Sequence, residues 1–472
     1  MRFPFCGQSY SSQSPFVDHQ RSVNFYAEYT ESGSAAARIV LYPTPGFAPF
    51  LSLPTYPVRG MLYLNNRLFV VSGATFYELY ENQSYVSRGT VYSDGQPATL
   101  SSNGDAGHQV WITSGGHGYI YDTVSDVFTS DVRTDAWMGA FIDQYFLRLD
   151  TQTSTLGLSA LDDGLTWDES DVSQRSTTPD RWVSMLVSHQ QVWMFGKQRT
   201  DVYYNSGETF PFIPYPGTLI EHGIAAPFSA KILDNTVFWL GQNDQGGAVV
   251  YRAQGYTPTI ISTRAVEFAL QGYSRVDDAV AFAYQDQGHS FYVLSFPTAN
   301  ATWVFDAATN LWHERGKWNF TRQDWDVWQA RFHAYAWNQH IVGDGITGGI
   351  YRMRIDRYRD ADGTIIRRMR QAPHIIGQHQ NLFYSRAELL LETGIGSHEV
   401  RNPRVGLQWS DDSGKSWSSL LYVSAGMAGQ YGTRALWRRL GQSRDRIFRV
   451  VVSDGVPWRL IDLLVDVEPG MH

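Results

Sequence analysis

Seven times along the middle of the chain, a polar turn leads into a short apolar strand. A Gly, Asn or Asp turn follows, and then an aromatic strand often closed by Asp or Asn. These stretches begin at Arg67 (RLFVVSGATFYELY), His108, Tyr145, Gln191, Thr236 (TVFWLGQNDQGGAVVYRAQG), His289 and His340, about 37 to 53 residues apart. The pattern repeats while the residues themselves do not. A unit of this length holding several short strands has the spacing of a propeller blade. One such blade is too small to bury both of its faces, so neighbours must stack, and closing the ring leaves only short edges exposed. The expected fold is therefore all-β: a β-propeller of about seven blades, with six to eight compatible with the spacing. The competing reading is a pair of β-sandwiches whose strands merely look periodic.

Composition agrees with sheet. Aromatic residues make up 14% of the 472 positions, and they fit a pleated, half-buried surface. The 42 glycines supply the turns an antiparallel protein needs. The single cysteine, Cys6, excludes an internal disulfide scaffold and a thiolate zinc site. The N-terminal run MRFPFCGQSYSSQSPF has no apolar core of a signal peptide, and no stretch is long and apolar enough for a membrane span. The chain thus reads as soluble and made in the cytoplasm.

Charge is uneven. The net value is −8, but residues 341–472 carry +4 and residues 1–340 carry −12. A negative body is unsuited to gripping nucleic acid, which requires many phosphate-neutralising side chains. It suits a surface that DNA passes without sticking.

Four segments are expected. Residues 1–55, polar and punctuated by YPTPGF, read as an N-terminal arm lying along the body or on a neighbour. Residues 56–356 form the propeller body. Residues 357–374 form an Arg-rich hairpin or connector around the Asp362-Gly363 turn, a strong hairpin signal. Residues 375–472 return to alternating strands and read as an antiparallel, sandwich-like domain.

Motifs for chemistry are few. Ser410-Asp-Asp-Ser-Gly-Lys-Ser-Trp417 matches the Asp-box pattern: Ser410 and Asp412 hold the turn, Gly414 permits positive φ, and Trp417 plugs the layer below. A second copy keeps Asp162, Gly164 and Trp167 but has Ala160 in place of the serine. Such boxes resemble those of sialidase-type propellers, where they brace the rim away from the active site, so function does not travel with them. Gly343 to Gly348 formally match G-x-G-x-x-G, but a strand follows where a dinucleotide site needs a helix. No spacing among the 13 histidines suits zinc, Asp277-Asp278 lacks the rest of a calcium loop, and no nucleophile elbow occurs. No catalytic, cofactor-binding or metal-binding residue is assigned, and no cofactor is expected. Six tryptophans between Trp303 and Trp337 read as core or inter-blade packing rather than an exposed stacking platform. Seven arginines, Arg352, Arg354, Arg357, Arg359, Arg367, Arg368 and Arg370, face only three acids in the same stretch. They are a candidate interface for a partner subunit or for DNA phosphate.

Several segments, in order, resemble one family. They are GQSYSSQSPFVDHQRSVNFYAEYTESG with YPTPGF, then residues 234–263, residues 285–316, and the tail RVGLQWSDDSGKSWS with RRLGQSRDRIFRVVVSDGVPWRL. The family is that of the tail hub or nozzle proteins of short-tailed bacteriophages, the packaged-DNA stabilisation proteins. The resemblance implies a structural virion protein with no catalysis, assembled in the host cytoplasm into a homo-oligomeric ring, usually a hexamer. Its partners would be the portal and adaptor, other tail proteins, and genomic DNA passing without sequence-specific binding. The ring would continue the DNA conduit and retain the genome until ejection. The alternative is a sialidase-like or glycan-binding propeller acting on host carbohydrate, which would need paired carboxylates or an arginine triad at the propeller mouth.

Overall fold

Two-residue turns with both residues at positive φ organise the central body. Asn65-Asn66, Asp143-Gln144, His189-Gln190, Asp234-Asn235, Gln287-Gly288 and Trp337-Asn338 all have this conformation. It is the hairpin geometry whose twist matches that of paired strands, and Asn, Asp and Gly adopt it at least cost. In a computed structural model describing residues 3–32, 37–175, 179–243, 245–377 and 380–470, each of these turns joins the first and second strands of a blade. Blade two replaces the turn with the short helix Gly104–Gly107.

Among the described residues there are seven blades of four antiparallel strands. Their second strands are Arg67–Ser72, Gln109–Ser114, Tyr145–Asp150, Gln191–Gly196, Thr236–Gln242, His289–Phe296 and Gln339–Asp344. Each coincides with one of the seven repeats read from the sequence. These strands are apolar without alternation because both faces are covered. Leu68 and Val70 pack toward blade seven, whereas Phe69 and Val71 pack toward blade two. Val192 and Met194 meet blade three, and Trp193 and Phe195 meet blade five. Burying such a side chain contributes roughly 1.5–3 kcal/mol, so inter-blade packing is the main adhesive of the ring.

Asp-x-x-Thr or Asp-x-x-Ser corners recur at blade turns. Asp150 accepts from the Gln152 amide and the Thr153 hydroxyl, Asp306 from Ala308 and Thr309, and Asp344 from Ile346 and Thr347. The last of these is the turn inside the Gly343–Gly348 match, which therefore belongs to a blade hairpin. Of the six clustered tryptophans, Trp303, Trp312, Trp328 and Trp337 are buried in blade cores, while Trp318 and Trp325 are half-buried on a hairpin.

The N-terminal stretch differs from the expected arm. Gly46–Ser52 is the outer strand of blade seven, pairing with Gly349–Arg354 and closing the ring. Phe25–Tyr29 and Ile39–Pro43 belong to a sheet with Leu382–Leu391, Ala435–Arg438 and Leu460–Pro469. His19–Val23 bridges the two bodies: it lies parallel to the last strand of blade six at Val23 and antiparallel to Arg368–Ile376. Arg368–Ile376, Asp445–Val452, Arg404–Ser410 and Leu421–Ser424 complete the second face of a sandwich whose core includes Phe5, Phe25, Leu41, Leu407, Phe448, Trp458 and Leu463. The C-terminal body thus takes strands from both ends of the chain, and its strand run starts at Arg368, before the expected boundary at 375. Cys6 is buried in this core, where burial raises its thiol pKa to about 12.

Candidate functional site

Three places were candidates from the sequence: the propeller mouth, the Asp-box turns and the arginine hairpin.

The first strands of all seven blades line a central cavity of about 440 Å³. Its wall is mostly apolar, with Met61, Leu100, Phe141, Leu186, Ile232, Phe282 and Phe332 each from a different blade. Its polar members include Lys231, whose ammonium is pulled below the usual lysine value by burial, and His333. His333 Nε2 lies 2.9 Å from His340 Nδ1, and burial, aided by His340, lowers its pKa to about 3. A space of this size is that of a small-molecule cleft and cannot pass a nucleic-acid duplex.

In the Asp box at 410–417, the Ser410 hydroxyl donates to Asp412 and accepts from the Gly414 amide, 2.8 Å away. Asp412 accepts from the Ser416 amide and hydroxyl, which hold its carboxyl well below the usual range. Gly414 has φ +91°, and Trp417 Nε1 donates to its carbonyl. In the second copy, Trp167 Nε1 likewise donates to the Gly164 carbonyl at 2.7 Å. There the bracing carboxylate is Asp163, which accepts from the Leu165 amide and Thr166 hydroxyl, and not Asp162, which occupies the left-handed turn position at φ +53°. With no serine at Ala160 to anchor the turn, the carboxylate role moves by one residue. Each box braces its own turn, and the second is also tied to blade two, where Gln109 Oε1 accepts from the Gly164 amide at 2.7 Å and Gln109 Nε2 donates to Asp163.

The arginine hairpin does not present one face. Its turn is as expected: Asp360 and Thr364 bond across it, and Gly363 has φ +82°. Arg354, Arg357 and Arg359 are exposed, with Arg354 paired to Asp356 at 2.7 Å. Arg352 is half-buried, its guanidinium 4.8 Å from the Phe50 ring centroid. Arg368 and Arg370 are fully buried and cannot meet DNA or a partner, which corrects the sequence assignment. Arg370 donates to the carbonyls of Phe5 and Gln8 and to Gln20 Oε1. Arg368 donates to the carbonyls of Thr44 and Ile366. Burial lowers the pKa of each to about 10. The start of Arg368–Ile376 is buried on both faces, and these two side chains clamp the N-terminal stretch because its carbonyls need donors there. Arg367 lies half-buried at the seam between the two bodies, 4.2 Å from the Trp318 ring centroid.

Sequence reading missed that seam. Asn24, at φ +58°, donates to the carbonyls of Gly316 and Arg367 and accepts from the Gly316 amide, so one amide side chain joins the propeller to the sandwich. Arg21 makes a two-pronged pair with Glu314, at 3.0 and 2.5 Å. Partners some 300 residues apart leave no local signal.

A seven-bladed propeller joined to a two-sheet sandwich, with its conspicuous motifs bracing turns, defines an all-β, repeat-built protein. Family models for the two bodies of bacteriophage P22 Gp10 match the chain, the beta-propeller over residues 1–357 and the beta-sandwich over residues 367–468. The chain belongs to that family of phage tail proteins, whose role is the stabilisation of packaged DNA. No curated protein matches it. Among solved structures, the N-terminal domain of Nup159 is similar at a TM-score of 0.42 and 9% identity, covering 71% of this chain and 98% of that one. Streptogramin B lyase is similar at 0.45 and 10%, covering 66% and 98%. The extracellular domain of BT4673 from B. thetaiotaomicron is similar at 0.44 and 11%, covering 80% and 47%. These likenesses are too loose to carry function, and the assignment rests on the two family models.

Proposed function

We propose that the chain is a hub or nozzle subunit of a short phage tail. It forms a homo-oligomeric ring, a hexamer, below the portal and adaptor, continues the DNA conduit, and retains the genome until ejection. The observation that carries this reading is the pair of family matches, in order and together spanning nearly the whole chain. The apolar cavity inside each propeller is far too small for a duplex, so the conduit runs between subunits. The net charge of −12 on residues 1–340 fits a surface past which DNA slides without adhering. The role is structural rather than catalytic, since both Asp boxes bond their own turns and the propeller cavity is walled mainly by apolar side chains.

Light scattering on the purified chain, alone and with adaptor-bearing capsids, tests the reading. A closed oligomer that docks on the capsids and slows DNA leakage is expected. A persistent monomer that hydrolyses or binds host glycans would overturn it in favour of the carbohydrate-active alternative.

A further inference from the structure

Where the propeller meets the sandwich there is a second, smaller cavity of about 290 Å³, lined by Arg21, Arg367, Arg449, Lys415, Trp318 and Trp417 among others. Two of its guanidiniums sit over indoles. Arg367 is 4.2 Å from the Trp318 ring centroid, and Arg449 is 3.3 Å from that of Trp417, the Asp-box tryptophan. Stacking uses the face of a guanidinium and leaves its in-plane N–H donors free to bond edgewise.

Those donors are poorly matched. Among the described residues Arg449 bonds only the neutral Gln371 Oε1, through Nε and one terminal nitrogen. Arg367 has no hydrogen bond or carboxylate partner among the described residues. The Trp318 indole N–H is buried and without an acceptor. Arg21 is neutralised by Glu314, and the Lys415 ammonium sits 5.0 Å from the Phe16 ring centroid. The lining includes one acid, the exposed Asp324. Burial, then the like charges of Arg21 and Arg367, lower the Arg449 pKa to about 9. Holding cations together in a half-dry recess is costly unless a counter-charge joins them.

We propose that this recess is a binding pocket for one compact oxyanion, a carboxylate or phosphate, gripped by Arg367 and Arg449. Planar guanidinium forks suit such oxygens. A concave cavity of this size has ample room for a compact anion. It does not fit a duplex backbone, whose binding uses rows of open cations. The anion is either a free phosphate ion or the acidic side chain of a partner protein. The pocket does not depend on the ring reading above, because it lies within one chain.

The test uses the full chain, followed by tryptophan fluorescence and thermal unfolding. It is titrated with inorganic phosphate, with a short Asp/Glu peptide, and with potassium chloride at matched ionic strength. A saturable fluorescence change with a rise in Tm is expected for phosphate or peptide and not for chloride, since a ligand that binds only the folded state stabilises it. Arg367→Gln with Arg449→Gln weakens binding at least tenfold, Arg367→Gln alone weakens it a few-fold, and Arg354→Gln on the open surface leaves it unchanged. Tighter binding of the peptide assigns the site to a protein carboxylate, and tighter binding of phosphate assigns it to the free ion. A response that chloride reproduces, or that persists undiminished in Arg367→Gln and in the double variant, overturns the proposal. Should the double variant fail to fold, the Arg367→Gln and chloride comparisons decide by themselves.

Discussion

The two bodies of this molecule solve the same problem in opposite ways. The propeller is assembled from blades contiguous in sequence, each pressed on the next through a second strand that is apolar on both faces. The sandwich is assembled from the two ends of the chain, with Phe5, Phe25 and Leu41 in one core with Leu407, Phe448 and Leu463. Its seams are fastened by buried polar side chains, Arg370 and Arg368 on N-terminal carbonyls and Asn24 between the bodies. Local repetition makes a ring whose seams are mainly apolar, with single buried donors such as Arg59, on the carbonyls of Gly73, Tyr92 and Gln96, added between blades. Long-range closure needs particular donors at particular carbonyls, because a buried carbonyl left alone costs about 1–3 kcal/mol.

The largest test of this contrast is truncation. Removing residues 1–55 should abolish both bodies, whereas removing residues 1–45 should spare the ring-closing strand Gly46–Ser52 and lose only the sandwich. Far-UV circular dichroism with limited proteolysis reads the difference. An intact sandwich after the shorter deletion would break the comparison.

Next in size is Arg370→Met, which keeps the bulk and removes the donors to Phe5, Gln8 and Gln20. A loss of about 3–5 kcal/mol is expected. It should be confined to the sandwich, so that the N-terminal stretch is cut by protease while the blades persist. A single uniform transition in calorimetry would argue that the two bodies are one cooperative unit.

Asp360 sharpens the comparison at the connector. Burial first, and then Asp362, raises its carboxyl pKa to about 7, against the pull of Arg368 and Lys317. The folded state therefore holds this proton more firmly than the unfolded chain. The resulting stability is present at low pH and lost as pH rises from about 4 through 7. Asp360→Asn cannot lose a proton, so its advantage over the parent should grow from pH 5 to pH 8 by roughly 2 kcal/mol. Denaturant titrations at the two pH values measure it, and equal differences at both would refute it.

The smallest effect separates neighbours in the imperfect Asp box. Asp163→Ala should lower Tm by about 1–2 degrees because it frees the Leu165 amide and Thr166 hydroxyl, at about 1 kcal/mol for a turn of this kind. Asp162→Ala should cost only the strain of its positive φ, and Asp162→Gly should be neutral or stabilising. The reverse order would restore the carboxylate role to Asp162.

Much of the ring was legible in the sequence. All seven second strands stand out as apolar runs, and Asn-Asn, Asp-Gln and Asp-Asn mark the hairpins that feed them. The intact Asp box was legible down to its bonds. The imperfect one was not, since losing the serine at 160 shifts which aspartate turns inward, and pattern matching assumes a fixed frame. Arginine density at 352–370 suggested a surface, yet Arg368 and Arg370 fall in a stretch of strand buried on both faces, while Arg354, Arg357 and Arg359 stay outside.

By itself the sequence determined the fold class, the blade spacing and the turn chemistry, because these follow from periodicity and from backbone preferences within a few residues. Only the tertiary structure decided that residues 46–52 close the ring and that the strands His19–Val23, Phe25–Tyr29 and Ile39–Pro43 build the sandwich. It also decided that Arg367 and Arg449 meet in one recess. Those outcomes depend on groups distant along the chain finding each other's unpaired donors, acceptors and apolar faces, and no local pattern records such a meeting.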